Sequence, residues 1–212
     1  MKELYANRAE WLEARGNSIG GSDIACVMGC GYKTRLQLWQ EKTGQKDTPD
    51  LSDNERVQFG NDAEPVLRDL FAVTHRNYEV TYEPFNLYRP DDEAFYFAHY
   101  SSDGMLCEKE TGRLGILEIK TATCITKADW ERWQLKVPDN YFCQVMWGMF
   151  VTGREYADLF ALLKNNEDDY ELRTYHFERD DSLEYLNEMK QSAKDFWTTV
   201  ERKSIPTVTI KL

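Results

Sequence analysis

Apolar residues along this chain recur at helical spacing in some stretches and alternate in others, and the change of period marks its elements. Residues 6–15 carry a helical pattern that ends in Gly16-Asn17-Ser18-Ile19-Gly20-Gly21-Ser22-Asp23, a glycine-rich turn whose last residues cap helices well. A short apolar helix is expected over 24–28, broken by Gly29 and Gly31. Residues 34–43 read as a helix with Leu36, Trp39 and Gln40 inward, stopped at Gly44. After a polar loop, a long helix is expected over 54–74, burying Val57, Ala63, Leu67, Leu70 and Phe71. Pro65 lies inside it, which predicts a break or kink near Glu64.

From 78 to 107 the pattern turns to strands rich in Tyr, Phe and Val, interrupted at Arg89-Pro90-Asp91-Asp92. Residues 114–121 form a compact strand and 141–151 an apolar helix. Two further strands, 156–163 and 170–177, flank an acidic turn at 165–169, and an amphipathic helix covers 182–202. Strands that come in runs between helices predict an α/β (α+β) domain with a central mixed sheet flanked by helices, not a doubly wound sheet. No repeat, low-complexity tract or linker divides the chain, so residues 1–212 read as a single domain.

Composition narrows the function classes. A chain of 212 residues buries an adequate core without disulfide or metal staples. No apolar run approaches the roughly eighteen residues that span a membrane. The start, Met1-Lys2-Glu3-Leu4-Tyr5, lacks the apolar core of a signal peptide, so the expected compartment is the cytoplasm, with no membrane partner. The five cysteines form no CxxC pair and only three histidines accompany them, which argues against a zinc or iron–sulfur site; Cys26 reads as a buried thiol. The net charge of −11 argues against general coating of DNA but leaves room for a small cationic groove.

The sharpest local feature is Gly115-Ile116-Leu117-Glu118-Ile119-Lys120-Thr121. Side chains alternate along a strand, so Ile116, Glu118 and Lys120 share one face while Leu117 and Ile119 take the other. Taken alone, Glu118 and Lys120 read as a solvated ion pair on a surface strand. Asp103 changes the reading, because a hairpin through 108–112 sets it beside Glu118. Two close carboxylates repel unless a cation sits between them. Asp and Glu oxygens with water and a backbone carbonyl suit magnesium. An adjacent lysine positions a water and stabilises charge developing on phosphate. These are the parts of metal-assisted phosphodiester hydrolysis.

The order Asp, spacer, Glu-x-Lys resembles the PD-(D/E)XK nuclease core, and the chain as a whole is similar to the lambda exonuclease and YqaJ-type viral recombinase family. Trp11-x3-Arg15-Gly16 with Ile19-Gly20-Gly21-Ser22-Asp23 resembles the family's first motif, and Gly60-x3-Glu64-Pro65-x4-Leu70-Phe71 its second. Ser102-Asp103-Gly104 and Leu117-Glu118-Ile119-Lys120-Thr121 resemble the metal motifs. Tyr141-x2-Gln144-Val145 with Met149-x2-Thr152-Gly153 resembles the helix that follows. Five segments in order, from about residue 11 to 153, are far more specific than a lone Glu-x-Lys.

The resemblance implies a restriction-endonuclease-like core and a magnesium-dependent deoxyribonuclease, with manganese as a substitute. It implies 5′→3′ exonuclease action on linear double-stranded DNA ends, leaving 3′ single strands for phage-type recombination. It further implies a homo-oligomer, a trimeric ring, that works with a single-strand annealing protein in the host cytoplasm. Asp103, Glu118 and the Ile119 carbonyl would hold the metal, with Glu64 as an additional acid, and Lys120 would position the water. Arg15 and Ser22 would hold a DNA 5′-phosphate, and Gln144 would orient the lysine or touch the DNA backbone.

Each peripheral residue also has a plain structural reading: Arg15 as a helix C-terminal charge, Ser22 or Asp23 as a helix cap, Gln144 as a core amide bonded to backbone. The sequence departs from the pattern at Ser102, where the family's name places proline, and at Asn61, where a basic residue is common; Lys33 is a candidate replacement cation. His99 reads as a satisfied strand histidine. Trp130 and Trp133, near Lys127, Arg132 and Lys136, fit either base stacking or the core edge. Two rival functions remain at this point. One is an endonuclease or RecB-like end processor on the same core, the other an inactive acidic binding protein.

Overall fold

In chain order the computed structural model, which describes residues 1–165 and 169–207, contains β1 (Lys2–Leu4), α1 (Arg8–Gly16), α2 (Gly21–Val27), α3 (Arg35–Lys42) and α4 (Glu55–Thr74). The strands β2 (Tyr78–Thr81), β3 (Asn86–Tyr88), β4 (Gly104–Glu108) and β5 (Leu114–Thr123) follow. Then come α5 (Lys127–Glu131), α6 (Asp139–Thr152), β6 (Tyr156–Lys164), β7 (Tyr170–Glu178) and α7 (Leu183–Glu201). The middle of the acidic turn between β6 and β7, residues 166–168, lies outside the described residues.

Five strands form one sheet in the order β2-β4-β5-β6-β7, antiparallel except for the parallel pair β5–β6, and β1 pairs separately with β3. The expected mixed sheet flanked by helices is what forms. A parallel pair needs a crossover, which α5 and α6 supply. Because α6 lies under other helices, it is apolar almost all round, and residues 143–149 are buried throughout.

Alternation along β5 and β6 splits the interior in two. Ile116, Leu159 and Ala161 pack with α2, α3, α6 and α7, whereas Leu117, Ile119 and Phe160 pack with Leu67 and Phe71 of α4. Glu118 and Lys120 thus lie on the α2/α6 face, as the pattern predicts.

Local chemistry fixes the ends. Asn7 caps α1 by accepting the Glu10 N–H, and Thr34 and Gln37 cap α3 reciprocally. Gly44 and Gly153, at φ 70° and 67°, take the left-handed turn that stops α3 and α6.

Three expectations are corrected. The cap of α2 is Gly20, so Ser22 and Asp23 lie inside the first turn; the Asp23 carboxylate reaches back to the Gly20 N–H at 3.2 Å and starts the helix early. In α3 the buried residues are Leu38 and Trp39, with Leu36 and Gln40 at the margin, because the helix presents a narrow face to α2 and α7. Finally, α4 is not broken at Pro65. Proline removes the N–H that would bond the Asn61 carbonyl, but both residues are exposed, so water satisfies that carbonyl while Leu67 and Phe71 hold the helix down.

Candidate active site

The register of β4 on β5 pairs Gly104 with Leu117, which sets Asp103, one step earlier, across from Glu118. The Asp103 Oδ2 accepts the Ile119 N–H at 2.8 Å. Since a strand residue's N–H and C=O point the same way, the Ile119 carbonyl is turned toward Asp103 as well. On the shared face, Lys120 Nζ lies 2.6 Å from Glu118 Oε1, and the Tyr100 hydroxyl donates to Glu118 Oε2. Glu118 is only 4 % exposed. The sequence's costly charged pair is therefore buried, not solvated.

Glu64 approaches from α4, which passes close to the end of β5: a Cβ on Gly60 would lie 3.4 Å from the Thr121 hydroxyl. Its carboxylate is turned to Arg68. The Arg68 Nε also donates to the Asp103 carbonyl, and the guanidinium lies 3.4 Å over the Tyr82 ring. Arg68 thereby ties α4 to the start of β4. Neither Arg68 nor Tyr100 was singled out in the sequence; the only signal was an arginine one helical turn after Glu64 and a tyrosine three residues before Asp103.

Arg15 is partly buried in the last turn of α1, stacked on Trp11 at 4.2 Å. Among the described residues it has no hydrogen-bond or ion-pair partner, although its charge is felt by Asp23, Asp103 and Glu118 in that order. Ser22 is exposed in the first turn of α2. Burial pushes its neighbour Asp23 up, but the charge and hydrogen bond of Lys42 at 2.9 Å, with the Gly20 N–H, together hold Asp23 below the usual carboxylate range. Gln144 is 8 % exposed and lies against the start of α2, where a Cβ on Gly21 would sit 3.5 Å from its own Cβ. Its amide makes no hydrogen bond among the described residues, so it is not the backbone-bonded core amide of the plain reading.

His99 is buried and bonded through Nδ1 to the Ser18 hydroxyl at 2.7 Å. Burial, helped by Arg15, lowers its pKa to about 3, so it stays neutral and serves packing. Lys33 is no free cation: it pairs with Glu41 at 2.6 Å. Trp133 is 3 % exposed and belongs to the core, while Trp130 is partly buried beneath Arg173. Asn61 is exposed on α4.

Electrostatics reflect the crowding. Burial, reinforced by Glu118, raises the Asp103 pKa well above the usual carboxylate range. Burial also raises Glu64, against the opposing pull of Arg68 and Lys120. For Lys120, burial acts downward, but Glu118 and Asp103 together more than reverse it and keep the ammonium charged. A charged Lys120 donates hydrogen bonds and stabilises anions.

Among the described residues no three His, Cys, Asp or Glu side chains gather into a ready metal cage. Cations differ in how many protein ligands they need. Zinc sites of the structural kind need four converging ligands. Magnesium keeps several waters and uses one or two carboxylates together with substrate phosphate. Asp103 and Glu118 on adjacent strands, with a carbonyl turned the same way, fit magnesium in donor type and number. Burial first and Glu118 second raise Asp103, and a divalent cation would relieve the repulsion between the two carboxylates.

A mixed sheet carrying Glu-x-Lys on its central strand, opposite an aspartate on the antiparallel neighbour, has the fold of the phage-type exonucleases. Over 92 % of this chain and 94 % of the other, it superimposes on the alkaline exonuclease LHK-Exo from Laribacter hongkongensis with a TM-score of 0.67 at 22 % identity. The structure of LHK-Exo in complex with dAMP matches over the same shares with a TM-score of 0.66. The chain belongs to the YqaJ-like viral recombinase domain family, whose sequence model matches residues 10–155. It is also 29 % identical over 199 residues to the uncharacterized protein YqaJ of Bacillus subtilis (strain 168), covering 92 % of this chain and 57 % of that relative. The chain thus spans little more than half the length of that relative. Among the described residues no helix is long and apolar enough to cross a membrane.

Proposed function

We propose that residues 1–212 form one magnesium-dependent deoxyribonuclease domain that hydrolyses linear double-stranded DNA from its ends, 5′→3′, leaving 3′ single strands. The observation that carries this reading is the Asp103 carboxylate held by the Ile119 N–H across from Glu118, with charged Lys120 on the same face. Membership of a viral recombinase family supports DNA as the substrate.

Asp103, Glu118 and the Ile119 carbonyl would hold the metal, and Glu64, paired with Arg68 here, would be a further acid beside it. A magnesium ion bound there, or manganese in its place, supplies Lewis acidity toward the scissile phosphate. Lys120, fixed by Glu118, donates to the attacking water and to the phosphate oxygens as charge builds on them. Gln144, with no hydrogen-bond partner among the described residues, reaches the DNA backbone or Lys120. Arg15 and the exposed Ser22 hydroxyl hold the terminal 5′-phosphate; a desolvated guanidinium without a carboxylate ion pair among the described residues and a hydroxyl in a helix's first turn are apt donors for it.

The net charge of −11 argues against general coating of DNA and leaves contact to local cations such as Arg15 and Lys120. From the family alone we further infer a homo-oligomeric ring, a trimer, threaded by DNA and acting with a single-strand annealing protein. The test is digestion of matched linear and covalently closed duplexes with magnesium, the linear one with and without a 5′-phosphate. The reading expects loss of linear DNA alone, faster with the phosphate, with 3′ strands surviving. Cutting of the closed circle would mean an endonuclease on the same core. No cutting with either metal would mean a binding protein.

A further inference from the structure

Tyr100 is 2 % exposed, and its backbone is clamped by a two-way bridge to Tyr88, with N···O distances of 2.7 and 3.0 Å. From there the side chain crosses the space between β5 and α6 and ends at Glu118 Oε2. Lys120 takes the other oxygen, Oε1, so the two ends of one carboxylate are held by two different residues.

The ring has room only because residue 148 is glycine. A Cβ on Gly148 would lie 2.7 Å from Tyr100 Cζ, 2.8 Å from Tyr100 Cε2 and 2.6 Å from Ile116 Cδ1. Real Cβ atoms do not approach that closely, so any other residue at 148 crowds both the Tyr100 ring and the Ile116 side chain. Gly148 lies in the middle of α6, where glycine costs about 1 kcal/mol relative to alanine. Three features converge on one oxygen: a clamped backbone, a buried hydroxyl, and a helix glycine that leaves room for the ring beside Ile116.

We infer that Tyr100 is the positioning residue of Glu118, and that Gly148 is its partner in this task. This rests on the reading of Glu118 as a metal ligand. Lys120 alone cannot set the plane of the carboxylate, because an ammonium on a four-carbon stem follows its acceptor as it turns. The Tyr100 hydroxyl, on a rigid ring with a fixed base, can. With both oxygens held, the carboxylate's remaining lone pairs face the Asp103 side before a cation arrives, and less side-chain freedom is lost on binding. Donors behind a metal-ligating carboxylate typically set affinity by roughly tenfold to a hundredfold.

The test is titration of the DNA-free protein with manganese by calorimetry, for wild type, Tyr100→Phe, Gly148→Ala and Asp103→Asn. Tyr100→Phe keeps the ring, so the fold and its melting temperature hold. Its manganese affinity is expected to fall by roughly tenfold or more. Gly148→Ala, by displacing the ring, should match that loss, and the double variant should lose no more than either alone. In DNA hydrolysis, half-saturation by magnesium should rise in Tyr100→Phe more than the rate at saturation falls, a split that loss of packing alone does not produce. Unchanged manganese affinity in Tyr100→Phe, with binding lost in Asp103→Asn, would overturn the positioning role and leave the nuclease reading standing. Full binding in Asp103→Asn would overturn the metal site itself, and this inference with it.

Discussion

Asp103 Oδ2 accepts the Ile119 N–H at 2.8 Å, and this bond keeps the carboxylate opposite Glu118 when repulsion would part them. The pair is a stored cost in the metal-free protein. Asp103→Asn removes the charge and keeps an acceptor for Ile119. In EDTA the variant should melt above wild type. Saturating magnesium, at about 100 times its dissociation constant, stabilises wild type by roughly 2.7 kcal/mol, a rise on the order of 5 °C or more for a chain of this size. The variant should not rise. Equal magnesium shifts in the two proteins would contradict the proposed ligand role.

Arg15 offers a second, independent reading. Its guanidinium is stacked on Trp11 and, among the described residues, has no partner of its own. Arg15→Ala should abolish the advantage of a 5′-phosphorylated end and leave hydrolysis of an unphosphorylated end nearly unchanged. Arg15→Lys should keep the charge but lose the two-pronged grip, and so retain part of the preference. Equal slowing on both ends would assign Arg15 to folding or general DNA contact instead.

His99 governs acid stability. Its folded pKa of about 3 lies below the ordinary 6.5, so the folded state binds fewer protons than the unfolded chain between those values. The stability it contributes is fully present above pH 6.5 and is lost as pH falls toward 3, at about 1.4 kcal/mol per pH unit. Urea midpoints should therefore drop between pH 6.5 and 5 by the equivalent of about 2 kcal/mol more in wild type than in His99→Gln. Parallel curves would show that His99 is not held neutral.

Much of this was legible in the sequence because it depends on neighbours in sequence. Alternation placed Glu118 and Lys120 together on β5, and the short turn before β5 brought Asp103 across from them. Other features depend on contacts between distant segments, which no periodicity encodes. Tyr100 matters only because Gly148, far along the chain, leaves it space. Lys33 resembled a spare cation until Glu41, on the next helix, took it up. Trp133 could be assigned to the core only once β7 and α6 had closed over it: its carbonyl takes the Tyr175 hydroxyl, and its ring lies 5.4 Å from that of Tyr141. The break expected at Pro65 does not form because Leu67 and Phe71, packed farther along the same helix, hold α4 together across the lost hydrogen bond.

The most direct test of the catalytic centre is the release of acid-soluble nucleotides from a linear duplex by wild type and Lys120→Ala, with magnesium and with EDTA. Removing a charged donor aimed at a developing anion costs on the order of a hundredfold to a thousandfold in rate. Removing a cation beside Asp103 and Glu118 should not weaken metal binding, and manganese titration should confirm that it is kept. The account predicts magnesium-dependent release by wild type, at least a hundredfold slower in Lys120→Ala, with metal affinity intact. Release at equal rates by the two proteins, or none from wild type with either metal, would contradict it.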